Sequence, residues 1–509
     1  MEVPVPSEAR LAEVLAALSG ISDLARGHPT DEAQRSCLVA VALARASGID
    51  GPMLQDVYYT ALVWSVGCTA TSHEFAAAFG GDDVELRRRG DAIDTADPRQ
   101  TLAMLYRMGG ARLVMRAAPR APTVAAEAAR ADCEVGAGMA VRLGLPAPVA
   151  IAVSERFERW DGKGTPEGKA DEAISLPARI TAVAEAAIMF DQLGGPQAAA
   201  AMARRWAGRA LDPSLAEAFA DAAGELLAEA TTDDPWAAAC EREPGPARGL
   251  PAGGLDGIAE AYGEAVDLKA PFLHGHSRGV ADLAGRAAAA AGLDGAGQTA
   301  LRRAGHLHDI GRAGVPTGIW ERPGPLSRAD WELVRLHPYH SERILDRAPP
   351  LAPLARTAGM HHERIDGSGY HRGASGQAID QPSRILAAAD AYHALTEPRP
   401  HRPALPPDRA AAVLAEMPLD RDAVAAVLEA AGQPRPARRE WPAGLTEREV
   451  QVLRLLAAGR SKRQIAAELV ISASTVHTHT VHIYDKCGVS SRAALAMFGM
   501  QHDLLRQID

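Results

Sequence analysis

The sequence predicts an all-α protein with several domains. Apolar residues make up 47% of the chain and aromatic residues only 4%. Ala, Leu and Arg are the abundant residues, a composition that favours helices over strands. A chain of 509 residues is longer than one hydrophobic core supports, so two to four domains are expected.

Charge and cysteine content limit the classes of function. The formal net charge of −10 argues against a protein that coats nucleic acid with its whole surface, because such surfaces are basic. The five cysteines are scattered without a C-x-x-C pair, which fits neither a disulfide framework nor a zinc ribbon. No segment reaches the roughly 18 uncharged apolar residues of a membrane helix. We therefore expect a cytoplasmic protein that makes no contact with a membrane.

Two segments rich in Pro and Gly interrupt the helical patterns. Residues 231–256 are not expected to hold a helix, because Pro removes donors and Gly costs backbone entropy. A second such segment precedes the last part of the chain. These breaks predict three domains and two linkers: a first domain at 1–240, a linker at 241–256, a second domain at 257–432, a linker at 433–443 and a third domain at 444–509.

The first two domains look like copies of each other. Each copy contains an Asp-Gly turn sequence, and an Ala-Arg-Ile or Ser-Arg-Ile sequence follows it in step. The number of residues that separates matched positions differs between the early and the late matches. A single change in length between them explains this difference. The matched strings are 47–51 with 291–295, 160–164 with 365–369, and 178–180 with 383–385.

The second copy carries an ordered set of imidazole and carboxylate groups on segments with helical apolar patterns. A single such histidine is usually a surface residue or a hydrogen-bonded core residue. Seven groups in ordered clusters indicate a metal site instead, because imidazole and carboxylate together suit iron, manganese or zinc-like ions. The seven residues are His276, His308, Asp309, His337, His361, His362 and Asp390.

This pattern resembles the HD-GYP branch of the HD superfamily of metal-dependent phosphohydrolases, from Phe272 to Leu405. The resemblance implies two divalent ions, iron or manganese, with Asp309 as a bridging ligand. One ion would be held by His276, His308, Asp309 and Asp390, and the second by His337, His361 and His362. Asp309 and Arg312 would be catalytic. The residues implied to bind substrate are Arg312, Tyr370, Arg399 and Arg402.

The activity that this resemblance implies is hydrolysis of a cyclic dinucleotide, with cyclic di-GMP as the leading candidate. Two nearby cations lower the pKa of a bridging water and neutralise the charge that builds on a phosphodiester under attack. The chain departs from the family pattern at Arg312, which replaces a Lys, and at His371, which replaces a Pro. Phe272 stands where some members carry a further acidic ligand, so two metals are expected rather than three.

The first copy lacks these ligands. At the matched positions no imidazole remains, and the neutral and cationic side chains among them cannot rebuild the metal cage. We expect a metal-free pseudo-domain that keeps the scaffold as a sensing or interaction surface, or that merely packs on its sister copy. The matched residues are Glu32, Trp64, Ser65, Asp132, Arg156, Phe157 and Glu185.

The last part of the chain predicts a DNA-binding module. Thr446 with Glu449 and Ser461 with Gln464 form capping boxes that begin two helices. A third helix, 474–487, carries polar and basic residues on its exposed face. Two short helices in this order are typical of a helix-turn-helix that enters the major groove.

The pattern resembles the LuxR-type C-terminal module, a small four-helix domain, over residues 445–505. The resemblance implies contact with duplex DNA, mostly through phosphates. Because one module makes few phosphate contacts, a homodimer on adjacent half-sites is expected. The residues expected to contact DNA are Lys462, Ser474, Thr475, His477, Thr478 and Lys486.

Three functions stay open from the sequence. The first is a regulator that both hydrolyses a cyclic dinucleotide and binds promoter DNA, which the intact ligand set favours. The second is a DNA-binding switch that holds the nucleotide with little or no turnover, which Arg312, His371 and the fused module favour, because a regulator must keep its ligand bound. The third is a phosphohydrolase of another phosphorylated small molecule.

Overall fold

The computed structural model describes residues 9–250, 253–434, 441–469, 471–502 and 504–505. The prediction of an all-α fold is confirmed, since no β-strand forms among these residues. The chain divides into two compact units, residues 1–435 and 436–509. In the described part of the chain, no helix is both long enough and apolar enough to cross a membrane.

In the described residues 9–250, the first copy and the segment after it contain twelve α-helices. Helices α2 and α3 pack against each other and against α9, which is kinked at Gly194 and Gly195. The helices are α1 (Leu11–Ala25), α2 (Glu32–Ala46), α3 (Gly51–Val63), α4 (Ser72–Phe79), α5 (Asp83–Gly90), α6 (Pro98–Ala117), α7 (Ala121–Arg142), α8 (Ala147–Ser154), α9 (Leu176–Trp206), α10 (Pro213–Asp221), α11 (Ala223–Ala228) and α12 (Pro235–Glu241).

The second copy repeats the same arrangement. Helix α14 packs against α15 and α20, as α2 packs against α3 and α9 in the first copy. The helices are α13 (Gly254–Asp267), α14 (His276–Ala290), α15 (Gly295–Leu307), α16 (Thr317–Trp320), α17 (Arg328–Arg335), α18 (His337–Leu345), α19 (Ala352–Gly359), α20 (Gln381–Thr396), α21 (Pro407–Glu416) and α22 (Arg421–Ala430).

The segment between the copies is more ordered than its composition indicates. The expectation that residues 231–256 hold no helix is wrong, because α12 lies within them. Asp234 caps α12 by accepting from the amide of Ala237, and Pro235 occupies the first turn, where its missing N–H costs nothing. Beyond α12, Glu243 forms ion pairs and hydrogen bonds with Arg10 and Tyr59 of the first copy.

One hydrophobic core runs through both copies. Helix α1 packs on α18 and on the turn that follows Asp309. At the junction, Lys269 Nζ lies 2.9 Å from Asp83 Oδ2, and both side chains are fully buried. Asp83 Oδ1 also accepts from the amide of Thr317 at 2.7 Å. The two copies thus share apolar packing and a buried ion pair.

Where the structure describes it, the C-terminal unit contains four α-helices around its own core. Both predicted capping boxes are present, at Thr446 with Glu449 and at Ser461 with Gln464. The helix predicted at 474–487 begins one residue earlier, capped by Ser472. Of the predicted linker 433–443, residues 435–440 lie outside the described part of the chain. The helices are α23 (Glu447–Ala457), α24 (Lys462–Glu468), α25 (Ala473–Cys487) and α26 (Arg492–Gln501).

Candidate metal centre and nucleic-acid interface

Five helices bring the seven predicted ligands to one place in the second copy. His276 begins α14, His337 begins α18, and Asp390 lies within α20. The expectation that all seven lie within helices is wrong for the two adjacent pairs. These pairs, His308-Asp309 and His361-His362, lie in turns just after α15 and α19. Adjacent helical positions point about 100° apart, so a turn is a better way to aim neighbouring side chains at one centre.

The ligand atoms form two neighbouring groups around Asp309. One group holds Asp309, His337, His361 and His362, and the other holds His276, His308 and Asp390, with the ligand atoms in each group within 4.8 Å of one another. The two oxygens of Asp309 face different groups. Its Oδ1 lies 3.2 Å from His337 Nε2 and 3.3 Å from His361 Nε2, whereas its Oδ2 lies 2.9 Å from His308 Nε2.

Backbone carbonyls orient three of the histidine rings. The Nδ1 atoms of His308, His337 and His361 lie 2.7, 2.6 and 2.6 Å from the carbonyl oxygens three residues earlier in the chain. Because a carbonyl oxygen can only accept, each Nδ1 donates, and a ring in its neutral form then keeps the Nε2 lone pair for the centre. Metal-binding histidines are usually fixed by such a partner.

The centre holds buried polar atoms that have no hydrogen-bond partner. They are Nε2 of His276 and His308, both carboxylate oxygens of Asp309, and Oδ1 of Asp390. Several of these atoms approach one another closely, but without the geometry of a hydrogen bond. A buried polar atom without a partner costs about 1–3 kcal/mol, a cost that a cation among them would remove. The residues present therefore fit divalent metal ions.

The charges in the centre agree with this fit. Burial would raise the pKa of Asp309, but the Arg312 guanidinium and the His308 ring hold it well below its ordinary value. Burial would lower the pKa of His276, but Asp309, Asp390 and Glu397 raise it to about 10. In His337, burial prevails and lowers the pKa to about 4. The centre thus keeps ionised carboxylates where a cation would lie.

The residues predicted to bind substrate occupy different surroundings. Arg312 lies 2.8 Å from Asp309 Oδ2 and stacks on the Trp320 ring. The Tyr370 ring lies 4.7 Å from the His362 ring. Arg399 stacks on Phe272 and donates to Glu397 at 2.9 Å. The guanidinium of Arg402 donates instead to backbone carbonyls around the end of α20, including Leu395 at 3.1 Å.

Three side chains beside the centre are absent from the predicted set: Glu397, Trp320 and His393, which forms a further group with His276 and Glu397. Glu397 Oε2 lies 2.8 Å from His276 Nδ1 and fixes that ring as the carbonyls fix the others. The Trp320 ring lies 5.7 Å from the His337 ring. Glu397 lies seven residues after Asp390, which is two helical turns further on the same face. This spacing is a signal in the sequence that could have identified it.

In the first copy, guanidinium groups lie where the second copy gathers its ligands. Arg26 lies 2.7 Å from Glu185 and donates to Ser65 at 3.0 Å, and Arg156 lies 3.0 Å from Glu185. Trp64 Nε1 also donates to Glu185 at 2.9 Å. Asp132 forms a separate ion pair with Arg87 at 3.0 Å. All three groups of His, Cys, Asp or Glu that could hold a metal among the described residues lie in the second copy.

The C-terminal unit exposes most of the residues predicted to contact DNA. Ser474, Thr475, His477 and Thr478 are exposed on the first turns of α25, and Lys462 begins α24 with its Nζ 2.8 Å from His477 Nδ1. These side chains form a polar surface at the leading end of the second helix of the pair, as in a helix-turn-helix.

Other basic side chains of this unit are used inside it. Lys486, predicted to contact DNA, lies 2.7 Å from Glu449 and also donates to the carbonyl of Gly444. Arg448 donates to the carbonyl of Leu469, and Arg492 to that of Arg460. These three cations hold the helices together. The positive charge left for DNA is therefore smaller than a count of Lys and Arg indicates.

Comparisons with known proteins match both compact units of the chain. The family profile described as HD domain matches residues 126–215 and 261–422, and the profile described as bacterial regulatory proteins, luxR family, matches residues 443–498. The 3'3'-cGAMP-specific phosphodiesterase 3 of Vibrio cholerae is 30% identical over 417 residues, which cover 80% of this chain and 90% of that protein. A cyclic di-GMP phosphodiesterase of Thermotoga maritima is 38% identical over 131 residues, 25% of this chain and 36% of that protein.

A solved structure is similar to most of this chain. The crystal structure of a cyclic GMP-AMP specific phosphodiesterase of V. cholerae matches with a TM-score of 0.59 and 26% identity, over 84% of this chain and 98% of that one. The chain therefore belongs to the HD-GYP-type branch of the HD-domain metal-dependent phosphohydrolases, and its last residues form a domain of the LuxR family of bacterial regulatory proteins.

Proposed function

We propose that this enzyme hydrolyses a cyclic dinucleotide at the centre of the second copy and binds duplex DNA through its C-terminal domain. The observation that carries the first half is the convergence of seven ligand groups, six of them buried, in which atoms of His276, His308, Asp309 and Asp390 have no hydrogen-bond partner. Burying these carboxylates and imidazoles costs free energy when no cation lies among them. Bound cations would compensate that cost.

Two divalent ions, iron or manganese, fit the two ligand groups. His276, His308 and Asp390 would hold one ion, His337, His361 and His362 the other, and Asp309, whose oxygens face both groups, would bridge them. Bound there, the ions would supply Lewis acidity toward a phosphodiester and a nucleophile at neutral pH.

The chain's own side chains around the centre suit a phosphodiester substrate. Arg312 and Arg399 lie on aromatic rings beside the ligands, where a planar guanidinium is well placed to bind phosphate oxygens. Tyr370 packs on His362 and would place a hydroxyl at the same side. Arg402, bonded to the carbonyls at the end of α20, would position the loop that carries Arg399.

The relatives narrow the substrate class. The relative that matches over most of its length is named for 3'3'-cGAMP, and shorter matches are named for cyclic di-GMP. Both molecules are cyclic dinucleotides, and both are candidates for this chain.

The test is turnover of each cyclic dinucleotide by the full chain with manganese or iron(II). We expect linear products from the wild type and a loss of turnover of more than about 100-fold in Asp309→Ala. Replacing even a group that only hydrogen-bonds to a metal ligand lowers activity or metal affinity by about 10–100-fold. Ser65→Ala, the matched change in the first copy, should leave turnover intact. Tight binding without turnover would instead identify a ligand-controlled DNA-binding switch. Neither binding nor turnover would point to another phosphorylated substrate.

For the C-terminal domain, the exposed polar face of α24 and α25 supports binding in a major groove. One such domain offers few phosphate contacts. A homodimer that places two domains on adjacent half-sites would supply the affinity that one lacks. Sedimentation of the full chain with and without a palindromic duplex tests this part of the proposal.

A further inference from the structure

The first copy contains a large cavity outside its buried charge cluster. The cavity has a volume of about 510 Å³ and is lined by residues of α5, α6, α9 and the loop after α1. This size falls in the range of small-molecule sites, about 300–1,000 Å³. Such sites are usually apolar with a few convergent polar groups.

The position of this cavity matches the substrate side of the second copy. His28, on the cavity wall, stands four residues before Glu32, as Phe272 stands four residues before His276. Gln192, also on the wall, stands seven residues after Glu185, as Glu397 stands after Asp390.

The contacts repeat as well as the spacing. Gln192 donates to Glu32 at 3.3 Å, in the place where Glu397 contacts His276. The first copy thus lacks the ligands of the second copy but keeps a recess in the place where Phe272 and Arg399 lie in the second copy.

The wall of the cavity is cationic. It carries Arg88, Arg89 and Arg107 and no carboxylate. It also carries His28, whose ring nitrogens lie 2.9 Å from Glu32 and 3.1 Å from Asp91. Arg88 and Arg89 share one carboxylate, that of Glu85, so the three groups together keep a net positive charge. Arg107 is exposed and forms no hydrogen bond or ion pair with any residue that the structure describes. Asp91 and Glu32 also raise the pKa of His28 to about 9, although its burial opposes this.

The rest of the wall is apolar and amide-bearing. Ile93, Met104 and Met189 supply apolar surface on which a flat ring can pack, and Gln100 and Gln192 offer both donors and acceptors. Several cations, apolar surface and amide groups together suit a ligand that carries both phosphate and a base. A free phosphate would leave most of this wall unused.

We infer that the cavity of the first copy is a second nucleotide site, which binds a phosphate-bearing nucleotide without hydrolysing it. Its phosphate would meet Arg107, Arg88 and Arg89, and its base would pack against Met104 and Met189. The matching of positions rests on the substrate side of the other copy as the proposed function has it, but every residue that lines the cavity belongs to the first copy.

The test is calorimetric titration of the full chain carrying Asp309→Ala, so that no nucleotide is consumed. The probes are cyclic di-GMP, GMP and inorganic phosphate. We expect Arg107→Glu to weaken binding of a nucleotide probe at one site at least 10-fold. Ala103→Trp, which fills the cavity from α6, should do the same. Arg112→Glu, on the same helix but outside the cavity, should change nothing.

Three results would overturn the inference: no binding of either nucleotide, nucleotide binding that Arg107→Glu leaves unchanged, or inorganic phosphate binding as tightly as both nucleotides. The readout is separate from catalysis. If the wild type hydrolyses no cyclic dinucleotide but binding still depends on Arg107, then the proposed function fails and the second site stands.

Discussion

At the scale of single residues, the orientation of a predicted histidine ligand depends on the group that hydrogen-bonds to the side of its ring facing away from the centre. Three of the ligand histidines are fixed by carbonyls of their own turns, which any sequence with that turn supplies. His276 begins a helix and has no such carbonyl. Its ring is held by the Glu397 carboxylate, which must come from another element.

Glu397→Gln tests this role. The amide removes the negative charge behind His276, so we expect the dissociation constant for manganese to rise about 10–100-fold. Metal titration monitored by calorimetry measures it. Glu416→Gln, at an exposed position on α21, is the matched control. An unchanged constant in Glu397→Gln would show that His276 needs no such partner.

The buried charges of the first copy make stability depend on pH through His28. Its pKa of about 9 in the folded chain is above the unfolded value of about 6.5. The contribution of His28 is therefore complete below pH of about 6.5 and is lost as pH rises through about 9.

We accordingly expect His28→Gln to lower the free energy of unfolding by roughly 2–3 kcal/mol near pH 6, with a difference that shrinks toward pH 9.5. Urea denaturation followed by circular dichroism at both pH values measures the change. His401→Gln, at an exposed histidine, controls for the substitution itself. A difference that stays constant or grows with pH would contradict the assignment.

At the scale of elements, α5 links the two copies. Its first residue, Asp83, forms the buried ion pair with Lys269 and accepts from Thr317, and its far end carries Arg88 and Arg89 on the cavity wall. Burial would raise the pKa of Asp83, but Lys269 lowers it below its ordinary value. A charge so completely buried is tolerated only with its partner.

Lys269→Met should therefore destabilise the chain by about 3–5 kcal/mol, because it leaves the Asp83 carboxylate buried and unpaired. Adding Asp83→Asn removes that charge and keeps an acceptor for Thr317, so the double variant should recover part of the loss. Denaturant unfolding of the three proteins measures both effects. A double variant less stable than Lys269→Met alone would refute this explanation.

The helix pair α24 and α25 carries a prediction of its own. Lys462 is exposed at the start of α24, with His477 as its neighbour, and should contact a phosphate. Lys462→Ala should weaken binding to all duplexes alike and reduce the slope of log K against log salt by about one. Fluorescence anisotropy at several salt concentrations measures the slope. Lys163→Ala, at an exposed lysine of the other unit, should leave it unchanged.

At the scale of the whole molecule, what could be predicted from the sequence is what local patterns encode. The capping boxes at Thr446 and Ser461 lie within four residues of chain, and the helices begin there. The seven metal ligands could be predicted because clustered His and Asp residues are rare in a sequence, and because these clusters occur within short motifs of the HD-GYP family. The repeat was visible because both copies keep the same turn sequences.

The features that were missed depend on contacts between distant parts of the chain. The short helix at Pro235 resembles a break because Pro and Gly surround it, yet Asp234 caps it. The pairing of Asp83 with Lys269 joins residues 186 positions apart, which no local pattern encodes. Arg26 also fills the centre of the first copy from a position that the matched residues do not include.

The central claim is that the second copy alone holds the metal ions on which hydrolysis depends. The metal content of the full chain, reconstituted with manganese, desalted and analysed by mass spectrometry, tests it most directly. We expect two ions per chain in the wild type and in Glu32→Gln, the isosteric change at the matched position of the first copy, and a loss of bound metal in Asp309→Ala. A wild type without stoichiometric metal, or an Asp309→Ala chain that keeps both ions, would contradict the claim.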